Sequence, residues 1–210
     1  MAINRGNLYK IQKADISRAG NTLASAFHND SVWKMFFKDE STIMQKGIFF
    51  QVPIRYCFHY GDVYSTSEKL EGIAAWVSGK FADQTIWRII RSGGIIYGLK
   101  AMKYCTQLMQ KQSQIFEPLE SDRRENMRGR NYLYLMVIGV TSEMQGQGFG
   151  GKLLGGIIEK SNQEMIPIYT ETHTEINLRF YEKNGFKPIK KITLPIINIP
   201  QWELIRDPGN

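Results

Sequence analysis

Four glycines fall within six positions, Gly146, Gly148, Gly150 and Gly151, with Gln147 and Phe149 between them and Lys152 directly after. The run follows a nine-residue apolar stretch (132–140, YLYLMVIGV) and opens a segment whose Phe149, Leu153, Leu154, Ile157 and Ile158 share one helical stripe. A turn of that composition at a helix start leaves backbone N–H groups uncovered at the positive end of the helix dipole. Without side chains in the way, an anion can reach them. The chemistry on offer is capture of a phosphate. A mere packing turn would gain nothing from Gly150 and Gly151, each of which costs a helix about 1 kcal/mol relative to alanine.

Three kinds of phosphate cradle can be held against these letters. The nucleotide-hydrolase loop G-x-x-x-x-G-K-[ST] fits Gly146 to Lys152 but ends in Leu153, where a hydroxyl should ligate magnesium. The dinucleotide fingerprint G-x-G-x-x-G is present as Gly146, Gly148 and Gly151, with Glu171 twenty residues on. Only 39 residues remain after Glu171, too few for the further layers of such a fold. The third pattern, Q/R-x-x-G-x-G/A after a strand ending in valine, is Val140 followed by Gln145, Gly146, Gln147, Gly148, Phe149 and Gly150.

The flanking elements set the frame for this turn. The segment 8–12 alternates as an edge strand, and a helix follows through Ala19, Leu23 and Phe27. A second helix covers 42–60, kinked or restarted at Pro53. Segments 62–65 and 71–78 read as a hairpin. Segment 83–114 reads as two helices split at Ser92, Gly93 and Gly94, and 117–130 as a polar linker or mobile loop. After the central strand 132–140 and the glycine turn come a helix (148–160), a strand (167–172), a short helix (176–184) and closing strands at 186–193 and 202–206, with a loop at 195–200 between them. The expected fold is one α/β domain over residues 1–210, with a mixed sheet of about six or seven strands flanked by helices.

Composition narrows the classes. With 210 residues, 42% hydrophobic and 22% charged, the chain can bury a core, and 12% aromatic residues exclude a disordered chain. No apolar run reaches the roughly 20 residues of a spanning helix and no secretory leader is seen at the start. A cytoplasmic location and no membrane partner are therefore expected. Cys57 and Cys105 lie outside any C-x-x-C pair and no H-x-x-x-H occurs, so no metal site is expected. The net charge of +7 is uneven. From Lys80 to Arg130 there are ten Lys or Arg against five Asp or Glu, a surface that attracts phosphates or is simply solvated.

At residues 140–150 the sequence resembles the GNAT superfamily of N-acetyltransferases. The likeness extends to 177–186 (NLRFYEKNGF), similar to that family's N-x-x-x-x-Y-x-x-x-G-F element. About 55 residues carry it strongly; the first 130 fit only in the order of their elements. The resemblance implies acetyl-CoA as cofactor, with the main chain of Ile138, Gly139 and Val140 pairing with the pantetheine arm and Gln145 to Gly151 holding the pyrophosphate. Lys152 is either an added charge there or a solvated helix side chain. Asn177 and Tyr181, four apart on one helix face, can reach the same ligand. In the family the asparagine touches the cofactor arm and the tyrosine acts as general acid at the sulfur.

An amine acceptor with a pKa near 10.4 is neutral in only about one molecule in 2,500 at pH 7, so a base should collect its proton. The strand 132–140 has no carboxylate where many family members place that base. Glu171 and His173, at the end of the next strand, are the candidates. With no cysteine in either motif, the expected reaction is direct attack of a primary amine, small or peptidic, on the thioester in a ternary complex. Nucleic acid is not an expected partner, and a homodimer is compatible with the sequence. The rival readings are a non-catalytic basic module that binds nucleic acid or an acidic partner through 80–130, and a dinucleotide-binding protein.

Overall fold

The apolar runs and helical stripes resolve into one sheet with helices on both faces. The computed structural model describes residues 8–209; residues 1–7, read above for a leader, and Asn210 lie outside it. In chain order the elements are β1 (Tyr9–Lys10), α1 (Ile16–Ala26), α2 (Ser31–Phe36), α3 (Ile43–Tyr60), β2 (Gly61–Ser65), β3 (Gly72–Ser78), α4 (Ile86–Arg91), α5 (Ile95–Ala101), α6 (Gln112–Asn126), β4 (Leu133–Val140), α7 (Phe149–Glu164), β5 (Ile168–Thr172), α8 (Glu175–Glu182), β6 (Lys187–Leu194) and β7 (Ile199–Arg206). The strand order is β1-β2-β3-β4-β5-β7-β6. Only β4 and β5 pair in parallel; the other neighbours are antiparallel. The seven-stranded mixed sheet agrees with the expected fold class.

Each face of the sheet carries its own core. On one side Ile16, Leu23, Phe50 and Ile54 of α1 and α3, with Ile115 and Leu119 of α6, pack on Val63, Ile73 and Val77. On the other, Leu153, Leu154 and Ile157 of α7 pack on Trp76, Leu133 and Leu135. The helix α1 lies so close to β4 that a Cβ at Gly139 would stand 2.8 Å from the Ala26 side chain, so only glycine fits this crossing. Two caps missed in the sequence fix local starts. Asp30 accepts the amides of Val32 and Trp33 and begins α2, and Thr42 and Gln45 form a capping box on α3. Pro53 lies inside α3, which runs on past it instead of restarting.

The largest departure from expectation is the segment 117–130. It is not a linker over most of its length: α6 runs through Pro118 to Asn126, with Ile115, Leu119 and Arg123, four apart, as its buried stripe. Several of its charges are paired within the fold. Arg123 and Arg124 pair with Asp83, at 2.9 and 3.1 Å, and Asp122 pairs with Lys190 on β6 at 2.6 Å. The last strand also starts earlier than expected, at Ile199, so that β6 and β7 form a tight hairpin around residues 195–198.

Candidate functional site

The parallel pair at the sheet's centre is short. Leu133 and Tyr134 of β4 pair with Ile168 and Tyr169 of β5, and beyond these rungs the two strands part, while β4 stays paired with β3 up to Val140. The cause is in β4 itself. Its register on β3 slips between Ala75 and Trp76, leaving Met136 as the extra residue of a bulge that bends the strand. Beside the bulge Thr170 Oγ1 donates to the carbonyl of Leu135, 3.1 Å away, closing the narrow end of the wedge. A cavity of about 1350 Å3 opens from this wedge. It exceeds the roughly 300–1,000 Å3 of an ordinary small-molecule site, leaving room for two ligands.

The glycine turn forms one rim. Gly146 and Gly148 have φ of +78° and +85°, a conformation side chains disfavour, and Gly148 is the N-cap of α7 with no side chain capping it. A Cβ at Gly146, Gly148 or Gly151 would meet no protein atom within 4 Å. Among the described residues the amides of residues 145–148 donate to no protein acceptor. These are open amides at a helix start, an anion cradle that the protein does not fill itself. The side chain of Gln145 folds back to the Val140 carbonyl at 3.0 Å, bracing the turn.

Most of the residues singled out in the sequence line this cavity: Ile138, Gly139, Val140, Gln145, Gly146 and Gly148, then Phe149, Gly150, Gly151, Asn177 and Tyr181, and also Glu171 and His173. Two do not. Gln147 turns its amide group to the Glu143 carbonyl at 3.1 Å, so its side chain lies outside the cavity lining. Lys152 is half-buried and its Nζ donates to the Thr66 carbonyl at 2.8 Å, away from the cavity lining.

Glu171 and Tyr181 approach the wedge from opposite faces of β5. Glu171 lies beside α6 with its side chain only 10% exposed. Tyr134 donates to its Oε2 at 3.0 Å, Arg123 Nη1 stands 3.9 Å from Oε1, and Oε1 has no hydrogen-bond partner. Burial pushes its carboxyl up to about 7 against the opposing pull of the Arg123 charge and the Tyr134 hydroxyl. Tyr181 is held edge-on between Phe180 and Phe186 in the α7 and α8 layer. Burial raises its phenol to about 12, offset in part by the nearby Thr170 hydroxyl, so at neutral pH it keeps its proton.

His173 is tethered: its Nε2 lies 2.7 Å from Oδ2 of Asp30, whose other oxygen caps α2. The pair ties the end of β5 to the α1–α2 loop across the cavity wall. Sequence reasoning missed Arg123, Tyr134 and Asp30. Tyr134 sat in a run read for its apolarity, and Arg123 in a charged stretch where only its spacing from Ile115 and Leu119 gave it away. Among the described residues no group of His, Cys, Asp and Glu could hold a metal, and both buried free cysteines lie off the cavity lining.

Comparison with known proteins agrees with this geometry. The family model described as acetyltransferase (GNAT) domain matches residues 103–188. The uncharacterized N-acetyltransferase C550.08 of Schizosaccharomyces pombe is 28% identical over 212 residues, covering 95% of this chain and 82% of that one. Among solved structures, a histone acetyltransferase HPA2 and related acetyltransferase from Corynebacterium glutamicum aligns over 97% of both chains at a TM-score of 0.63 and 19% identity. The NatC complex bound to Gag peptide and CoA aligns at 0.50 and 14%, over 96% of this chain and 97% of that one. At such identities the solved structures show a common fold. The domain match over residues 103–188, the relative along nearly the whole chain and the common fold agree with the GNAT acetyltransferase resemblance and support an acyltransferase enzyme.

Proposed function

We propose that the protein transfers an acetyl group from acetyl-CoA to a primary amine by direct attack in a ternary complex. The observation that carries this reading is the wedge between β4 and β5, with open amides at its rim and a buried carboxyl and a buried phenol facing it from opposite sides. The amides of residues 145–151 suit a diphosphate, and the unpaired edge of β4 at Ile138 and Gly139 suits the amides of a pantetheine arm. Val140 already gives its carbonyl to Gln145. Asn177, exposed on the first turn of α8, stands on the same rim.

Glu171 is the base in this reading. Its side chain lines the cavity and Oε1 carries no hydrogen bond, so it is placed to collect a proton from an incoming ammonium through one water, and a carboxyl near 7 is half ionised at neutral pH. Tyr134 and Arg123 hold it in place. Tyr181, protonated, donates to the departing thiolate, a group with an ordinary pKa of about 8.5. His173 has its Nε2 engaged by Asp30 and keeps the loop after β5 in position.

The test is release of free thiol from acetyl-CoA in the presence of polyamines, arylalkylamines, aminoglycosides, amino acids and peptide N-termini. Turnover with at least one class is expected. Coenzyme A binding with no thiol release across the panel would count against catalysis.

A further inference from the structure

The helices α4 and α5 present apolar side chains on two faces. Inward, Ile89 and Ile95 line the cavity. Outward, Ile86, Trp87 and Ile90 of α4, Ile96 and Leu99 of α5, and Met102 just beyond are all exposed, Trp87 by 73% and Leu99 by 69%. Their spacing, i, i+1, i+4 and then i, i+3, i+6, gathers them into stripes, so this is a patch and not scattered residues. Leu99 and Met102 also border the cavity, which makes the patch continuous with its mouth.

Along the chain, the charge of the stretch that carries the patch has one sign. Between Asp83 and Glu117 the chain has no acidic residue and five basic ones, Arg88, Arg91, Lys100, Lys103 and Lys111, a surplus of five out of the chain's +7. Among the described residues none of the five forms a salt bridge. In this they differ from Arg123 and Arg124 of α6, which pair with Asp83 and, respectively, with Glu171 and Glu120.

A symmetric contact between two copies would bring this cationic rim against itself. An apolar strip flanked by Lys and Arg, with a tryptophan among its most exposed members, instead matches a surface of anionic headgroups over hydrocarbon. We propose that α4 and α5 dock the protein peripherally on an anionic lipid bilayer, with Trp87 at the headgroup level and the mouth of the cavity turned toward the lipid. The expectation of no membrane partner rested on span length and on the reading of the start for a leader. No described helix is long and apolar enough to cross a membrane, and this contact needs none.

The experiment is sedimentation of the full chain with phosphatidylcholine vesicles, with and without phosphatidylglycerol, at rising salt. Binding to the anionic vesicles only, weakening with salt, is expected. Each neutralised cation should lower affinity about fivefold, so Arg91→Gln with Lys100→Gln should lose about thirtyfold, and Trp87→Ser should also weaken binding. Thermal melting of the variants reports that the fold is kept. Absence of binding to anionic vesicles, equal binding to both kinds, or binding indifferent to these substitutions would overturn the proposal. So would a dimer in solution that Trp87→Ser dissociates, since the face would then belong to a second copy.

Discussion

The phenol of Tyr134 on β4 donates a 3.0 Å hydrogen bond to Oε2 of Glu171 on β5, two residues beyond the last rung that joins these strands. The bond crosses the floor of the wedge and fixes the carboxyl where backbone pairing no longer can. It leaves Oε1 buried and without a hydrogen bond, faced by the Arg123 guanidinium at 3.9 Å, an oxygen with hydrogen-bonding capacity to spare.

Replacing the carboxyl should remove the base while keeping the shape. Glu171→Gln is expected to lower kcat/KM by about 10² or more. In the wild type the rate should rise with pH as a group near 7 loses its proton, and the variant should lack that inflection. Initial rates of thiol release across pH check both points.

Tyr134→Phe acts one atom away. The hydroxyl stabilises the charged carboxylate, so its loss should move the inflection above its wild-type position. Activity should fall at neutral pH and recover toward the wild-type rate in alkaline buffer. An unmoved inflection would separate Glu171 from the pH profile.

The same carboxyl should also show in stability. Its folded value, about 7, lies above its ordinary 4.5, so the native state favours the protonated form. The penalty is absent below 4.5, grows as pH rises toward 7 and is constant above that. Glu171→Gln should therefore be more stable than the wild type by about 1–3 kcal/mol in alkaline solution, with the gain vanishing in acid. Urea denaturation at both extremes reads the difference.

In the turn, two glycines should respond differently. A side chain at Gly151 meets no protein atom within 4 Å and its backbone is ordinary helix, so Gly151→Leu should melt like the wild type yet bind coenzyme A about tenfold or more weakly. Gly148, at φ +85°, should lose about 1 kcal/mol of stability as alanine. Calorimetric titration with coenzyme A, beside thermal melting, distinguishes the two.

Much of this arrangement could be read from the letters, and the exceptions have physical reasons. The run 132–140, the glycine turn and the stripe at Phe149, Leu153 and Ile157 appear as β4, the cradle and α7, because each is specified by local periodicity and backbone freedom. The bulge at Met136 was invisible, since it depends on how β4 registers on β3 and not on its own composition. Arg123 was hidden because sequence shows that a residue is charged, not that Asp83 and Glu171 lie within reach. Glu171 was chosen for its place at the end of the strand, yet its partner Arg123 comes from α6, a segment that reads as loop by polarity alone.

The central claim is that the wedge between β4 and β5 receives the thioester arm. A crystal structure of the protein with coenzyme A tests it most directly. The diphosphate is expected on the amides of residues 145–151 and the sulfur between the strands, with Tyr181 within hydrogen-bond reach and Glu171 lining the other side. Coenzyme A lying elsewhere on the surface, with the wedge closed by protein side chains, would contradict it.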